Sequence, residues 1–331
     1  MRAYQLHAPG PVSPESLTLT DRPRPEPGPG QLLLRVLACG VCHTDLHLVE
    51  GDLPLRKQPL TPGHQVVAVV EQTGPSVTRW KPGDRVGAPW LHRTCGECDY
   101  CRRGLENLCS SAQFTGWDVD GGYAEYLLAE ADYVVPIPPE FSAAQAAPLL
   151  CAGIVGYRSL RLADLQPGER LGLFGFGASA HIAIQVARHW GCAVSVFTRS
   201  AEHQAHARAL GAEWVGRAEE HPPQPLDRAI LFAPRGALVP LALGWLRPGG
   251  TLAVNAIHTT PIPGFEYNLL YGERTVRSVA NATRRDAEEF LPLAAQIPVK
   301  TDVQVFPLAE ASQVLMRLKR SAVTGAAVLA V

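Results

Sequence analysis

Apolar residues come in short bursts over most of this chain. Up to about residue 154, turn signals such as EPGPGQ and KPGDR break the bursts, which predicts a strand-rich region. From residue 169 the rhythm changes. In ERLGLFGFGASAHIAIQVARHWG, LGLF reads as a short strand and a glycine turn follows it. Ile182, Val186 and Trp190 then fall at i, i+4 and i+8, on one helical face. AVSVF at 193–197 begins the next strand. ALGA, LDRAILFA, PGGTLAVNA and RTVRSVAN continue the alternation expected of an open parallel sheet. The pattern shows no internal repeat, and HPPQPLD at 221–227 is a short proline-rich loop rather than a linker.

At 331 residues the chain is long enough for two domains. Apolar residues make up 46% and charged residues 18%, a globular balance. The net charge of −1 gives no reason to expect nucleic acid or an anionic membrane as a partner. MRAYQLHAPG lacks the apolar stretch of a signal peptide, and no window approaches eighteen uncharged apolar residues. The expectation is a cytoplasmic protein, whose thiols stay reduced and whose clustered cysteines bind metal or catalyse.

Composition therefore turns attention to the eight cysteines. Cys95, Cys98, Cys101 and Cys109 stand at C-x2-C-x2-C-x7-C. Four thiolates on a short loop can surround one tetrahedral Zn²⁺ at about 2.3 Å each. Gly96 and Gly104 give the backbone freedom to wrap. Such a site has no open position, so it can staple a lobe but cannot catalyse. Cys42 in CGVCHTDLH, His64 in TPGHQ and Cys151 in PLLCAG are scattered. Their spacing does not join them; only the resemblance set out next groups them as a Cys₂His set with one position open, as in a catalytic zinc site.

CGVCHTDLH, PGHQVV, PGDRV, the four-cysteine lobe, GGYAEY, LLCAG and the glycine turn occur in one order. In this the chain resembles the zinc-dependent alcohol dehydrogenases of the medium-chain dehydrogenase/reductase family over essentially its whole length. The resemblance implies an α/β protein: a GroES-like, mainly β, partly open barrel joined to a doubly wound Rossmann sheet. The barrel would comprise residues 1–154 and 283–331, with the structural zinc lobe at 92–112, and the Rossmann domain residues 155–282. The active cleft would lie between the domains.

The same resemblance implies that Cys42, His64 and Cys151 bind the catalytic zinc and that Asp45 orients a ligand. A cysteine at position 151 favours the alcohol dehydrogenase branch over the polyol dehydrogenases, which usually carry Glu there. Thr44 and His47 match the proton-relay positions: a hydroxyl takes the alcohol's proton and an imidazole passes it to solvent. Trp90 matches a pocket aromatic, though a plain core role is equally open. Cys39 and Cys192 read as small buried hydrophobes, and His43 as a possible phosphate contact. Three positions depart from the family pattern. Gln65 stands where Glu follows the ligand histidine, Val155 where Thr is common, and Ala326 where Arg commonly meets the pyrophosphate.

Gly175, Gly177 and Ala180 form G-x-G-x-x-A, with Ala178 among the positions expected to meet the cofactor. The first residue makes the turn, the second admits the pyrophosphate and the third lets helix and strand pack closely. No acidic residue follows the second strand. Thr198, Arg199 and Ser200 stand there and suit a 2′-phosphate, so NADPH is expected over NADH. The rival is that Arg199 stacks on adenine while NAD binds through backbone groups.

The expectation is a zinc-dependent alcohol dehydrogenase with two zinc ions per subunit, a homodimer or homotetramer that reversibly oxidises primary or secondary alcohols to aldehydes or ketones. The alternatives are an aldehyde reductase, a polyol or formaldehyde dehydrogenase, or a catalytically silent nucleotide-binding protein of the same fold.

Overall fold

The computed structural model describes residues 1–256, 258–323 and 325–331. The chain begins with strands β1 (Arg2–Gln5), β2 (Thr18–Asp21) and β3 (Gln31–Val41), then helix α1 (His43–Glu50). Strands β4 (Gln65–Thr73), β5 (Arg85–Ala88) and β6 (Leu91–Arg93) lead to the short helix α2 (Asp99–Arg102). Strands β7 (Gln113–Phe114), β8 (Tyr126–Glu130) and β9 (Val135–Pro136) precede helices α3 (Ala143–Ala146) and α4 (Ala152–Leu162). Next come β10 (Arg170–Phe174), α5 (Ala178–His189), β11 (Ala193–Phe197), α6 (Ala201–Ala209) and β12 (Trp214–Gly216). They are followed by β13 (Leu226–Leu231), α7 (Leu238–Trp245), β14 (Leu246–Val254) and β15 (Thr275–Ser278). The chain closes with α8 (Arg284–Gln296), β16 (Val303–Pro307), α9 (Ala311–Lys319) and β17 (Ala326–Ala330).

These elements form two compact units. One comprises Met1–Cys151, Thr283–Ala295 and Lys300–Val331; the other comprises Ala152–Ala282 and Gln296–Val299. In the first, one sheet runs β16-β17-β3-β4-β5-β9, with β8 also on β3. β3 is its hub, antiparallel to β4, β8 and β17. Its sequence QLLLRVLACGV is apolar almost throughout because it is bonded along both edges. Register shifts between Leu33/Leu34 and Val36/Ala38 are the kind of irregularity that bends a sheet towards closure. Leu32, Leu34, Val36, Val66, Ala68, Val86 and Leu329 form its core.

The second unit holds a parallel sheet in the order β12-β11-β10-β13-β14-β15. Numbered from its own first strand, this is 3-2-1-4-5-6, the doubly wound dinucleotide-binding order. One detail differs from the sequence pattern. Trp190 lies just past α5 as its C-cap, not within it, and its ring meets Tyr157 edge-on at 6.2 Å. β15 is exposed at all four residues, because it is the edge strand rather than an interior one.

At the amino ends of β10 and β13, buried Asp227 accepts hydrogen bonds from Arg170 N (2.8 Å) and Nε (2.9 Å), and pairs with Arg247. Burial raises its carboxyl pKa, but the bonds from Arg170 and the two arginine charges outweigh burial and hold it below the ordinary value. A depressed carboxyl pKa stabilises the fold above the unfolded pKa and ceases to do so as pH falls through the folded one. Asp227→Asn is therefore expected to cost about 1–2 kcal/mol at neutral pH. The gap to wild type should start to close below about pH 4 and vanish as the wild-type carboxylate is protonated, losing the charge that the Asn variant already lacks. Urea unfolding across that range checks this; a gap that persists in acid would contradict it.

Candidate active site

The first unit brings Cys42, His64 and Cys151 together through three separate devices. Cys42 follows β3 and caps α1, with φ −135° and ψ 177°. Its Sγ accepts from Thr44 N at 3.3 Å, while Asp45 Oδ2 accepts from Cys42 N at 2.9 Å. Backbone pairing of Gly40 with Gln65 then sets the start of β4 beside the end of β3, so His64 arrives opposite Cys42. Gly63 makes this possible. Its φ is 99°, and a Cβ there would lie 2.5 Å from the Tyr123 ring and 2.8 Å from Cys39 Sγ. Cys151 ends a 3-10 turn, Ala147–Leu150, that packs on β3, β4 and β5. Gly87 of β5 admits Leu150 of that turn, whose Cδ2 would be 2.6 Å from an added Cβ.

The ligand atoms of these three residues lie within 4.8 Å of one another. Cys42 Sγ is 3.3 Å from His64 Nε2, and His64 Nδ1 donates to Asp45 Oδ1 at 3.2 Å. Asp45 is fully buried and also accepts from Gly63 N at 3.2 Å. It fixes the imidazole so that Nε2 faces the sulfurs. Burial lowers the His64 pKa, yet the charges of Asp45 and Cys42 outweigh it and carry it up to about 10. Cys151, bonded to the Cys42 thiolate and buried, is pushed well above the ordinary thiol range, while Cys42 is held well below it. Two soft sulfurs and one oriented imidazole, gathered with excess negative charge, form a donor set that fits Zn²⁺ with one position left open.

Trp90 and His64 meet in a T-shaped pair, with ring centroids 4.8 Å apart and planes at 76°. It stacks on Phe114 at 5.2 Å and Trp117 at 5.7 Å. Arg56 lies over Trp117 at 3.8 Å, and Trp117 Nε1 donates to Pro54 O at 2.8 Å. Sequence pattern offered no signal for Phe114 or Trp117. Thr44 is buried in α1, and His47 sits in its last turn with Nδ1 2.7 Å from Asp52 Oδ2. Gln65 is buried, with its Oε1 2.6 Å from where a Gly40 Cβ would stand. Cys39 and Cys192 are wholly buried, and His43 is exposed as the first residue of α1. Ala326 opens β17, whose next residues pair with Val41 and Gly40.

Cys95, Cys98, Cys101 and Cys109 form the second donor cluster. The Cys95–Cys101, Cys98–Cys101 and Cys95–Cys109 sulfur pairs are 3.9, 3.5 and 3.5 Å apart. Four thiolates at about 2.3 Å from one ion sit about 3.8 Å from each other, so the set fits a tetrahedral zinc. α2 aligns Cys98 with Cys101, and Gly96 (φ 75°) and Gly104 (φ 69°) take the left-handed turns. Backbone N–H groups of residues 97 and 98 lower the Cys95 thiol to about 6.

In the second unit the glycine turn sits at the end of β10. Gly175 has φ 92°, and a Cβ would lie 2.8 Å from Ala233 N, at the end of β13. β10 and β13 are where the strand order reverses, the crevice in which such sheets bind ligands. Gly177 caps α5 with nothing within 4 Å of an added Cβ, so a phosphate could approach its backbone. Ala178 starts the helix and Ala180 is fully buried. Thr198 is buried after β11, Arg199 is exposed, and Ser200 caps α6 by accepting from His203 N at 3.3 Å. Val155 lies half-buried in α4. Arg217 follows β12 and Arg235 follows β13. Only the strand order reveals that these two arginines flank the same sheet end as Arg199.

A barrel unit with an open three-donor site, and a 3-2-1-4-5-6 sheet with a glycine turn, together make the build of a zinc-binding dehydrogenase. Residues 28–139 match the alcohol dehydrogenase GroES-like domain, and residues 180–296 the zinc-binding dehydrogenase domain. The chain is 47% identical to a probable alcohol dehydrogenase of Mycobacterium tuberculosis, over 99% of this chain and 97% of that protein. It is 40% identical to an alcohol dehydrogenase of Geobacillus stearothermophilus, over 91% of this chain and 92% of that one. Its fold resembles the cobalt- and zinc-bound thermostable alcohol dehydrogenase of Pyrobaculum aerophilum, with a TM-score of 0.89 and 28% identity over 100% and 99% of the two chains. The chain belongs to the zinc-dependent alcohol dehydrogenases of the medium-chain dehydrogenase/reductase family.

Proposed function

We propose that this protein reversibly oxidises primary or secondary alcohols to aldehydes or ketones, using a zinc ion at Cys42, His64 and Cys151 and an NAD(P) cofactor. The observation that carries this reading is the convergence of three donor atoms within 4.8 Å, two of them sulfur. When bound, zinc supplies a Lewis acid that lowers the pKa of an alcohol, and the dinucleotide supplies a hydride acceptor.

The chain's own residues do the rest. Asp45 holds His64 in one tautomer, and Trp90 walls the site beside it. Thr44 takes the hydroxyl proton and His47 passes it towards solvent. Gln65, neutral where the family has Glu, adds no charge to that of the two thiolates. Gly175 turns the chain, Gly177 and Ala178 bring backbone to the pyrophosphate at the α5 N-terminus, and buried Ala180 lets α5 pack closely on its strand. The four-cysteine cluster holds a second, structural zinc.

NADPH is the preferred cofactor in this reading. Support comes from Thr198, Arg199 and Ser200 at the end of β11 and from Arg217 at the end of the neighbouring strand. The exposed edge strand β15, with Tyr267 and Tyr271 about 70% and 69% exposed, supports association into a homo-oligomer. Among the described residues no helix is long and apolar enough to cross a membrane, which is compatible with a cytoplasmic home.

Metal analysis and turnover on a panel of small alcohols, with both cofactors, test the whole reading. Two ions per chain and turnover with NADP⁺ are expected. Metallated protein inert on every alcohol and aldehyde would defeat it. Arg199→Ala is expected to lower kcat/KM for NADPH about tenfold to a hundredfold, the size of one charge-assisted bond, and to leave NADH use nearly unchanged. A wild-type preference for NADH would overturn the cofactor assignment alone.

A further inference from the structure

We infer that Asp52 is a positioning residue for proton release, holding His47 in the tautomer that can accept the alcohol's proton. The inference rests on the relay reading above and deepens it.

The placement is local and specific. His47 lies in the last turn of α1, and Gly51 ends that helix in the left-handed conformation, φ 85° and ψ 8°. Leu53 N returns to His47 O at 3.2 Å, so the chain doubles back over the helix end. This reversal sets Asp52 Oδ2 2.7 Å from His47 Nδ1. The neighbouring carboxylate, Glu50, is turned elsewhere, to Lys319 and to Val12 N. Asp52 is thus a carboxylate aimed at the ring.

A carboxylate accepts but cannot donate when ionised, so it fixes hydrogen on Nδ1. A neutral ring with Nδ1–H carries its lone pair on Nε2, the nitrogen then able to take a proton. When Nε2 takes the proton, Nδ1–H keeps its hydrogen bond to Asp52, so the ring stays oriented throughout. The proton leaves from Nε2 to water, and the ring returns to the starting tautomer with nothing else consumed. His47 is 26% exposed and Asp52 50%, which lets the exchange reach solvent but keeps the effect modest through screening.

The test compares Asp52→Ala, His47→Gln and the double variant in the zinc-loaded enzyme. It reads kcat/KM for alcohol oxidation at saturating NADP⁺ and fixed pH, over a range of HEPES concentration. Asp52→Ala is expected to slow oxidation roughly threefold to tenfold. Added buffer base should restore part of the rate in this variant and change wild type little. In the His47→Gln background the Asp52 substitution should add almost nothing, because its partner is gone. A merely structural Asp52 would lower the thermal midpoint, give no buffer response and multiply with His47→Gln; that pattern overturns the inference. An unaffected Asp52→Ala beside a slow His47→Gln also overturns it while sparing the relay. A fully active His47→Gln removes the relay and the inference together.

Discussion

Cys151→Ser is expected to leave one metal ion per chain instead of the two proposed for wild type, and to lower kcat/KM for alcohol oxidation by about 10⁴-fold. The substitution changes one atom. Serine's hydroxyl is a hard, weakly acidic donor, whereas the site was assembled around soft thiolates. With Cys42 and His64 alone, two donors face an ion that needs three from the protein. The fold should survive, because Cys151 ends the Ala147–Leu150 turn and the packing of that turn comes from Leu149 and Leu150, both buried. Mass-spectrometric metal counting, turnover and a thermal melt measured together are decisive. Two ions and wild-type turnover in the serine variant would dismiss Cys151 as a ligand. One ion, lost turnover and an unchanged melt would support the assignment.

Asp45→Asn should damage both metal affinity and stability, although the side chain never meets the ion in this reading. Three N–H groups converge on its two oxygens: Cys42 N, Gly63 N and His64 Nδ1. An amide offers one oxygen, and its NH₂ must face a donor in a site with no exposure to water. A buried donor left without a partner costs about 1–3 kcal/mol, and loss of the buried charge beside His64 adds to this. We expect about 2–4 kcal/mol of lost stability in urea. Zinc held against a chelator should be about 10–100-fold weaker, the usual effect of removing a carboxylate that orients a ligand histidine. Asp45 also closes the capping box of α1, so Thr44 and His47 should be displaced with it. Unchanged chelator competition would show that His64 needs no support from behind.

How far the sequence could be read depended on how local each feature is. The four-cysteine cluster was legible because fifteen residues with Gly96 and Gly104 cannot carry their sulfurs far apart. The glycine turn was legible because strand, turn and helix follow one another directly from Arg170 to His189. The open site was different. No spacing rule links Cys42, His64 and Cys151, and only the resemblance to a family joined them in the sequence. The structure supplies the physical cause: the Gly40–Gln65 pairing aligns two of them, and the Leu150 turn against Gly87 delivers the third.

Asp52 and the aromatic stack on Trp90 had no sequence signal at all. Asp52 reaches His47 only because Gly51 turns the chain back at the helix end. Phe114 and Trp117 reach Trp90 across paired strands and a loop. Nothing in the sequence sets Arg217 and Arg235 beside Arg199; strand order puts them at one sheet end. The sequence by itself determined the elements, the cysteine lobe and the glycine turn, since backbone geometry over a few residues settles these. Tertiary structure decided which distant donors meet and which tautomer His64 adopts, because strand register and burial act between residues the chain keeps far apart.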